Sequence, residues 1–211
     1  MVSDDHITTF NRITRVSRET INSLKIYESH LIESNKGLNL IGKSTINQIW
    51  IRHFLDSFQV IDFIDKNEKT LTDIGSGAGF PGLVLAIACL DRKIPLKIKL
   101  IEKSPKKVIF LKKIIHVLNL NTEVHNQNVF EFPNTLAGDV FVARAFKPLK
   151  KILELMHKKV KNWKKIFIYL GKTGQSELDE ASKIWDIKYK QRMSVKSKDS
   201  LIIEINNLAK R

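Results

Sequence analysis

The spacing of hydrophobic positions changes along the chain, and the change divides it in two. Over 18–35, RETINSLKIYESHLIESN places Ile21, Leu24, Tyr27, Leu31 and Ile32 at the interval of one helix face. Gly37 is the expected left-handed residue closing that helix. A second helix is predicted from about Ser44 through INQIWIRHFLDSFQVIDFI, with Ile46, Ile49, Trp50, Phe54, Phe58 and Ile61 on its apolar side. Beyond DKNE the pattern shortens to strand-like runs: TLTDI (70–74), LKIKLIE (96–102), TEVHNQN (122–128), DVFVAR (139–144) and KIFIYLG (165–171). Helical stretches separate them, over 82–90, 104–120, 148–160 and 175–184. Pro105 suits a first helical turn. DIKYKQRMSV and SLIIEIN close the chain as two more strands, predicted to form a hairpin.

Strand followed by helix, repeated, predicts a mostly parallel sheet with helices on both faces. Five such strands followed by an antiparallel pair match, as an analogy of fold, the Rossmann-like seven-stranded α/β sheet of class I S-adenosyl-L-methionine (SAM)-dependent methyltransferases. The expected organisation is an N-terminal helical extension over 1–66 and a methyltransferase domain over 67–211.

Composition narrows the partners. Hydrophobic residues make up 43% of the 211, enough for a packed core. The formal net charge of +14 points to a polyanion, nucleic acid before an anionic membrane surface, with a Lys-rich proteome of low GC content as the alternative. Cys89 is the one cysteine, so no internal disulfide forms, which fits a reducing cytoplasm. MVSDDHITTF lacks the apolar core of a secretory signal. The apolar run LVLAIACL is far shorter than the roughly 20 residues that span a bilayer. No membrane partner and a cytoplasmic location are therefore expected.

The candidate chemistry centres on DIGSGAGFPG, 73–82. Four of the chain's nine glycines fall in these ten residues. The stretch leaves a strand and opens a helix, the context a nucleotide-type glycine loop requires. Gly75, Gly77 and Gly79, with Asp73 two places before the first, follow D-x-G-x-G-x-G rather than the dinucleotide spacing G-x-G-x-x-G. An acid at this strand end suits the ammonium of SAM and would repel a pyrophosphate. Glu102 ends the next strand, where a carboxylate accepts from ribose hydroxyls. Asp73, Gly75, Ser76, Gly77, Gly79, Phe80 and Glu102 are thus candidate cofactor-binding residues. In NQNVFEF, Asn128 and Phe130 are candidates to bond and stack on adenine, with Val129 between them; Phe130 and Phe132 packing in the core is the alternative.

The acceptor is read by elimination. ARAFKP follows the fourth strand where amine methylases carry N/D-P-P-Y/F, and that motif is absent. A pyrimidine C5 needs a cysteine nucleophile, and Cys89 lies in an apolar helix. An acceptor with its own lone pair, such as guanine N7, needs only positioning. The missing motifs permit that acceptor without proving it.

Four separated stretches resemble the ribosomal RNA small subunit methyltransferase G family, also called glucose-inhibited division protein B. They are LNLI (38–41), RHFLDS (52–57), DIGSGAGFPG with its Phe-Pro-Gly ending, and ARAF (143–146). The resemblance implies a SAM-dependent enzyme methylating N7 of a guanine in 16S rRNA, naked or in the 30S subunit. It implies Gly75, Phe80, Val129, Phe130 and Arg144 around the cofactor, with Arg144 at the reacting centre as the catalytic candidate. It implies Arg52, His53 and Asp56 on the substrate side, and Lys172 of GKTGQ as a further candidate there. The chain departs from the family pattern at Ile41, Ala143 and Phe130, and by a residue inserted near Lys172.

Two lysine-rich stretches, EKSPKKVIFLKK and KPLKKILELMHKKVKNWKK, are candidate phosphate contacts, as are Arg12, Arg15, Arg18 and Lys25, read as lying on one N-terminal helix. No metal-ligand spacing is present, so no metal is expected. A monomer is expected. A SAM enzyme of small molecules and a non-catalytic RNA-binding relative are the alternatives left open.

Overall fold

The computed structural model describes residues 4–131, 135–193 and 200–211. Seven strands form one sheet in the order β3-β2-β1-β5-β7-β9-β8. They are β1 (Thr70–Ile74), β2 (Lys97–Glu102), β3 (Thr122–Asn126), β5 (Val140–Arg144), β7 (Lys165–Leu170), β8 (Trp185–Met193) and β9 (Leu201–Lys210). The first five run parallel, and β9 pairs antiparallel with both β7 and β8. The predicted core strands and the terminal pair are all present. Ser194 and Val195, also expected in strand, and Phe132 lie outside the described residues. A second, two-stranded parallel pair, β4 (Leu136–Ala137) with β6 (Val160–Lys161), was not expected from the pattern.

Alternation along the strands feeds two apolar layers. In β5, Val140 and Val142 join one cluster, while Phe141 and Ala143 join the other. The first layer is covered by α4 (Gly82–Arg92), α5 (Pro105–Val117) and the N-terminal helices, the second by α6 (Leu149–Lys159) and α7 (Gly174–Ser182). The N-terminal helices thus share a core with the sheet: Phe10 meets Trp50 and Phe58 edge to face, and Tyr27 lies against Phe80.

Three local expectations change. The arginines Arg12, Arg15 and Arg18 span two helices, α1 (Asp4–Thr14) and α2 (Arg18–Leu38), because Arg15 turns the chain with φ 52° and Ser17 caps α2 by accepting from the Thr20 N–H. Gly37 stays inside α2; Asn39, at φ 46°, is the left-handed cap, a conformation asparagine tolerates. The second helix is not uniform. It runs as a 3-10 segment (Lys43–Gln48), a π segment (Trp50–Leu55), the single turn α3 (Asp56–Phe58) and a 3-10 segment (Gln59–Phe63). The wider π turn keeps Trp50, Phe54 and Leu55 buried together, and such segments recur at functional sites.

Candidate cofactor and active site

A cavity of about 440 Å³ opens at the C-terminal edge of the sheet. Open α/β sheets place their ligands at this edge. Its wall is made of the segments that leave β1, β2, β3 and β5, closed on one side by Leu40, Ile41 and Gly42 after α2.

The glycine loop forms its floor. Gly75 (φ 74°) lacks a Cβ because the Phe146 ring sits there: a methyl would lie 2.1 Å from Cδ2. Gly77 (φ 59°) faces open space, with no atom nearer than 3.8 Å to such a methyl. The loop is held from both sides. Glu102 accepts from the Gly77 N–H at 2.9 Å through Oε2 and from the Ser104 N–H at 2.8 Å through Oε1. Tyr27 donates its hydroxyl to the Ala78 carbonyl. Ser76 Oγ donates to the Asp73 carbonyl at 3.1 Å.

Asp73 lies beneath the loop, fully buried, and does not line the cavity. Its Oδ2 accepts from the Gly82 N–H at 2.9 Å, while Oδ1 is buried with no partner. Burial pushes its carboxyl up to about 7, against the pull of the hydrogen bonds and of Arg144. The acid at the strand end therefore braces the turn into α4.

At the opposite wall, Asn128 closes on its own turn. Its Oδ1 accepts from the Phe130 N–H at 3.2 Å and its Nδ2 donates to Glu131. Val129 is buried in the wall. Phe130 is 37% exposed and lies parallel to Phe146 with ring centroids 5.7 Å apart, so the core alternative for it does not hold.

The two separated motifs meet through Arg144. Its Nη2 donates to the Arg52 carbonyl at 2.6 Å and pairs with Asp56 Oδ2 at 3.0 Å. Its Nη1 lies 3.3 Å from His53 Nδ1. A guanidinium can only donate, so His53 accepts at Nδ1 and carries its proton on Nε2, 3.0 Å from Thr45 Oγ1. The imidazole lies flat on Phe80, 4.8 Å between centroids. Both partners of the ion pair are almost closed to solvent, with side chains 11% and 4% exposed. Ala143 is buried in the core, and the polar neighbours of Arg144 come from the helical segment.

The model of the rRNA small subunit methyltransferase G family matches residues 20–205. This chain belongs to that family. Ribosomal RNA small subunit methyltransferase G of Pelagibacter ubique is 39% identical over 198 residues, covering 93% of this chain and 92% of the relative. The protein of that name from Rickettsia akari is 36% identical over 195 residues, covering 92% and 98%. Among solved structures, M. capricolum TrmK with S-adenosyl-homocysteine superimposes with a TM-score of 0.53 at 19% identity, over 71% of this chain and 66% of that one. The 16S rRNA methylase RmtB gives 0.56 at 16% identity, over 91% and 76%. These two likenesses carry the fold alone: it is the class I methyltransferase fold.

Within this family member, the structure brings most candidates to one place. Gly75, Ser76, Gly77, Phe80, Glu102, Asn128, Val129, His53 and Arg144 line the cavity. Gly79, Asp73, Asp56, Arg52 and Phe130 stand behind or beside that lining. Lys172 is exposed in the turn after β7 and does not line it. Sequence reasoning gave no site role to Tyr27 or Phe146, and offered Lys103, Lys107 and Lys147 only as members of the two lysine-rich stretches. Phe146 closes the quoted ARAF motif, and its signal was the glycine it packs against. Tyr27 read only as one of five apolar positions on a helix.

Proposed function

We propose that this enzyme transfers a methyl group from SAM to N7 of a guanine in 16S rRNA. The observation that carries the reading is the Arg144 junction: the helical RHFLDS and the post-strand ARAF, far apart in sequence, close on one another at the mouth of a glycine-loop cavity.

The residues present fit SAM. The open space over Gly77 admits a ligand close to the backbone, and Glu102 keeps a second lone pair on each oxygen for ribose hydroxyls. Gly75, Gly77 and Glu102 would hold the polar ends, with Ile101 and Val129 against the base. SAM supplies, when bound, a methyl group on a cationic sulfur.

The chain's own task is then positioning. N7 brings its own lone pair, so no side chain has to remove a proton. Arg144, already committed to Asp56, His53 and the Arg52 carbonyl, acts by fixing the helical segment over the cavity. His53 and Phe80 present a stacked, apolar wall that keeps water from the methyl group. Lys103, Lys107 and Lys147 at the rim suit phosphates of the incoming strand. Among the described residues no helix is long and apolar enough to cross a membrane. The reading is of a monomer with an N-terminal helical extension over 1–66, acting on 16S rRNA or the 30S subunit in the cytoplasm.

The test is methyl transfer from labelled SAM to 16S rRNA of a strain lacking its own family member, followed by nucleoside chromatography. Label in 7-methylguanosine supports the reading; label in any other nucleoside, or none, overturns it.

A further inference from the structure

A second cavity, of about 540 Å³, lies between α1 and α2. Arg12, Arg18 and Lys25 line it together with Asn11 and Asn22, over an apolar floor that includes Val16. No acidic residue lines it. All three cations are exposed, and none forms an ion pair among the described residues. Glu19, engaged at the start of α2 by its own backbone and Ser17, attracts Arg18, and Glu28, one turn on from Lys25, attracts that lysine, but neither carboxylate closes to an ion pair and neither lines the groove.

The groove is braced. Asp91 Oδ1 accepts from the Ser17 N–H and from Thr20 Oγ1, each at 2.8 Å, and Arg92 donates to the Thr14 carbonyl at 2.9 Å. Asp91 and Arg92 end α4, whose other end begins at the glycine loop. The 11 residues of α4 therefore separate the groove from the cofactor floor by about 16 Å. Three unpaired cations on a rigid mount, with amide donors between them, suit a run of phosphates.

We infer that this groove binds the phosphate backbone of an rRNA segment distant from the target guanine, as a remote anchor for the substrate. The inference rests on the RNA reading above. It implies that the enzyme recognises folded rRNA by span, and that a short RNA carrying only the target loop does not reach the groove.

The test is the triple variant Arg12→Gln/Arg18→Gln/Lys25→Gln, compared with Lys188→Gln/Lys190→Gln/Lys210→Gln, which removes the same charge from the terminal strands. The groove variant keeps the wild-type Tm, SAM affinity and rate on a short hairpin bearing the target. On full-length 16S rRNA its KM rises about 10-fold or more at unchanged kcat. Its plot of log(kcat/KM) against log salt becomes shallower by about 2 to 3, roughly one for each phosphate no longer neutralised. The control variant does neither. Wild-type KM and salt slope in the groove variant overturn the inference. So does an equal loss on the hairpin, which would put the groove at the target itself. Loss of binding to phosphatidylglycerol vesicles with rRNA kinetics intact would make it a membrane site and also overturn it. Anisotropy of labelled 16S rRNA with the S-adenosyl-homocysteine-loaded protein reads the groove without chemistry. Failure of the methylation reading and failure of this inference are therefore distinguishable.

Discussion

Replacing Arg144 by alanine should destabilise the whole protein before it can report on catalysis. The guanidinium sits 3.0 Å from Asp56 Oδ2, with the two side chains 11% and 4% exposed. Truncation takes the guanidinium away from the buried Asp56 carboxylate, from the Arg52 carbonyl and from His53 Nδ1. Removing one member of a buried pair costs about 3–5 kcal/mol, against a total stability of about 5–15 kcal/mol for a typical domain. For a chain of this length that lowers Tm by roughly 10 °C. Urea unfolding at pH 7 measures it. The single variant should lose at least about 3 kcal/mol, and Arg144→Leu/Asp56→Leu should lose less than the sum of its two singles, by about 1–3 kcal/mol. An Arg144→Ala protein within about 1 kcal/mol of wild type, or a strictly additive double variant, would refute the view that this pair ties the helical segment to β5. Arg144 also lines the cavity, so activity lost on its truncation has to be divided by the fraction still folded.

Four further outcomes follow from the loop and the groups that hold it. Asp73 has its carboxyl raised from 3.8 to about 7, so the folded state holds its proton more tightly than the unfolded state. Its contribution is present below the unfolded value and lost as pH rises from about 4 to 7; Asp73→Asn should therefore gain stability relative to wild type across that window, by up to about 4 kcal/mol, read from urea midpoints at pH 4.5 to 8. Gly75→Ala combines a left-handed φ with a methyl 2.1 Å from Phe146, so it should lower Tm and abolish SAM binding in calorimetry. Gly77→Ala, in open space, should weaken SAM binding with only about 1 kcal/mol lost in stability. Tyr27→Phe leaves the Ala78 carbonyl without its buried donor and should cost about 1–2 kcal/mol, with a weaker SAM affinity.

The sheet was legible because each strand carries its own periodicity, and a helix-to-strand change of period needs no tertiary information. The glycine loop was legible because positive φ has few solutions: Gly75, Gly77 and Gly79 all adopt it. What the sequence hid depends on contacts between distant segments. Nothing local in RHFLDS distinguishes a π segment from an α-helix; the burial of Trp50, Phe54 and Leu55 and the reach of Arg144 go with it. Gly37 signalled a helix end that Asn39 in fact makes, since either residue takes the left-handed conformation. The break at Arg15, which creates the basic groove, goes with the hold of Asp91 on Ser17 and Thr20, more than 70 residues away in the chain.

The central claim is that the Arg144 junction and the glycine-loop cavity together deliver a methyl group to N7 of one guanine. Methylation at N7 labilises that nucleotide to borohydride and aniline, so strand scission in 16S rRNA reads the modified atom and its position at once. Incubation of unmethylated 16S rRNA or 30S subunits with the enzyme and SAM should create scission at a single guanine, dependent on SAM and greatly reduced with Gly75→Ala. Methyl incorporation without scission, or scission at many guanines, would contradict the account.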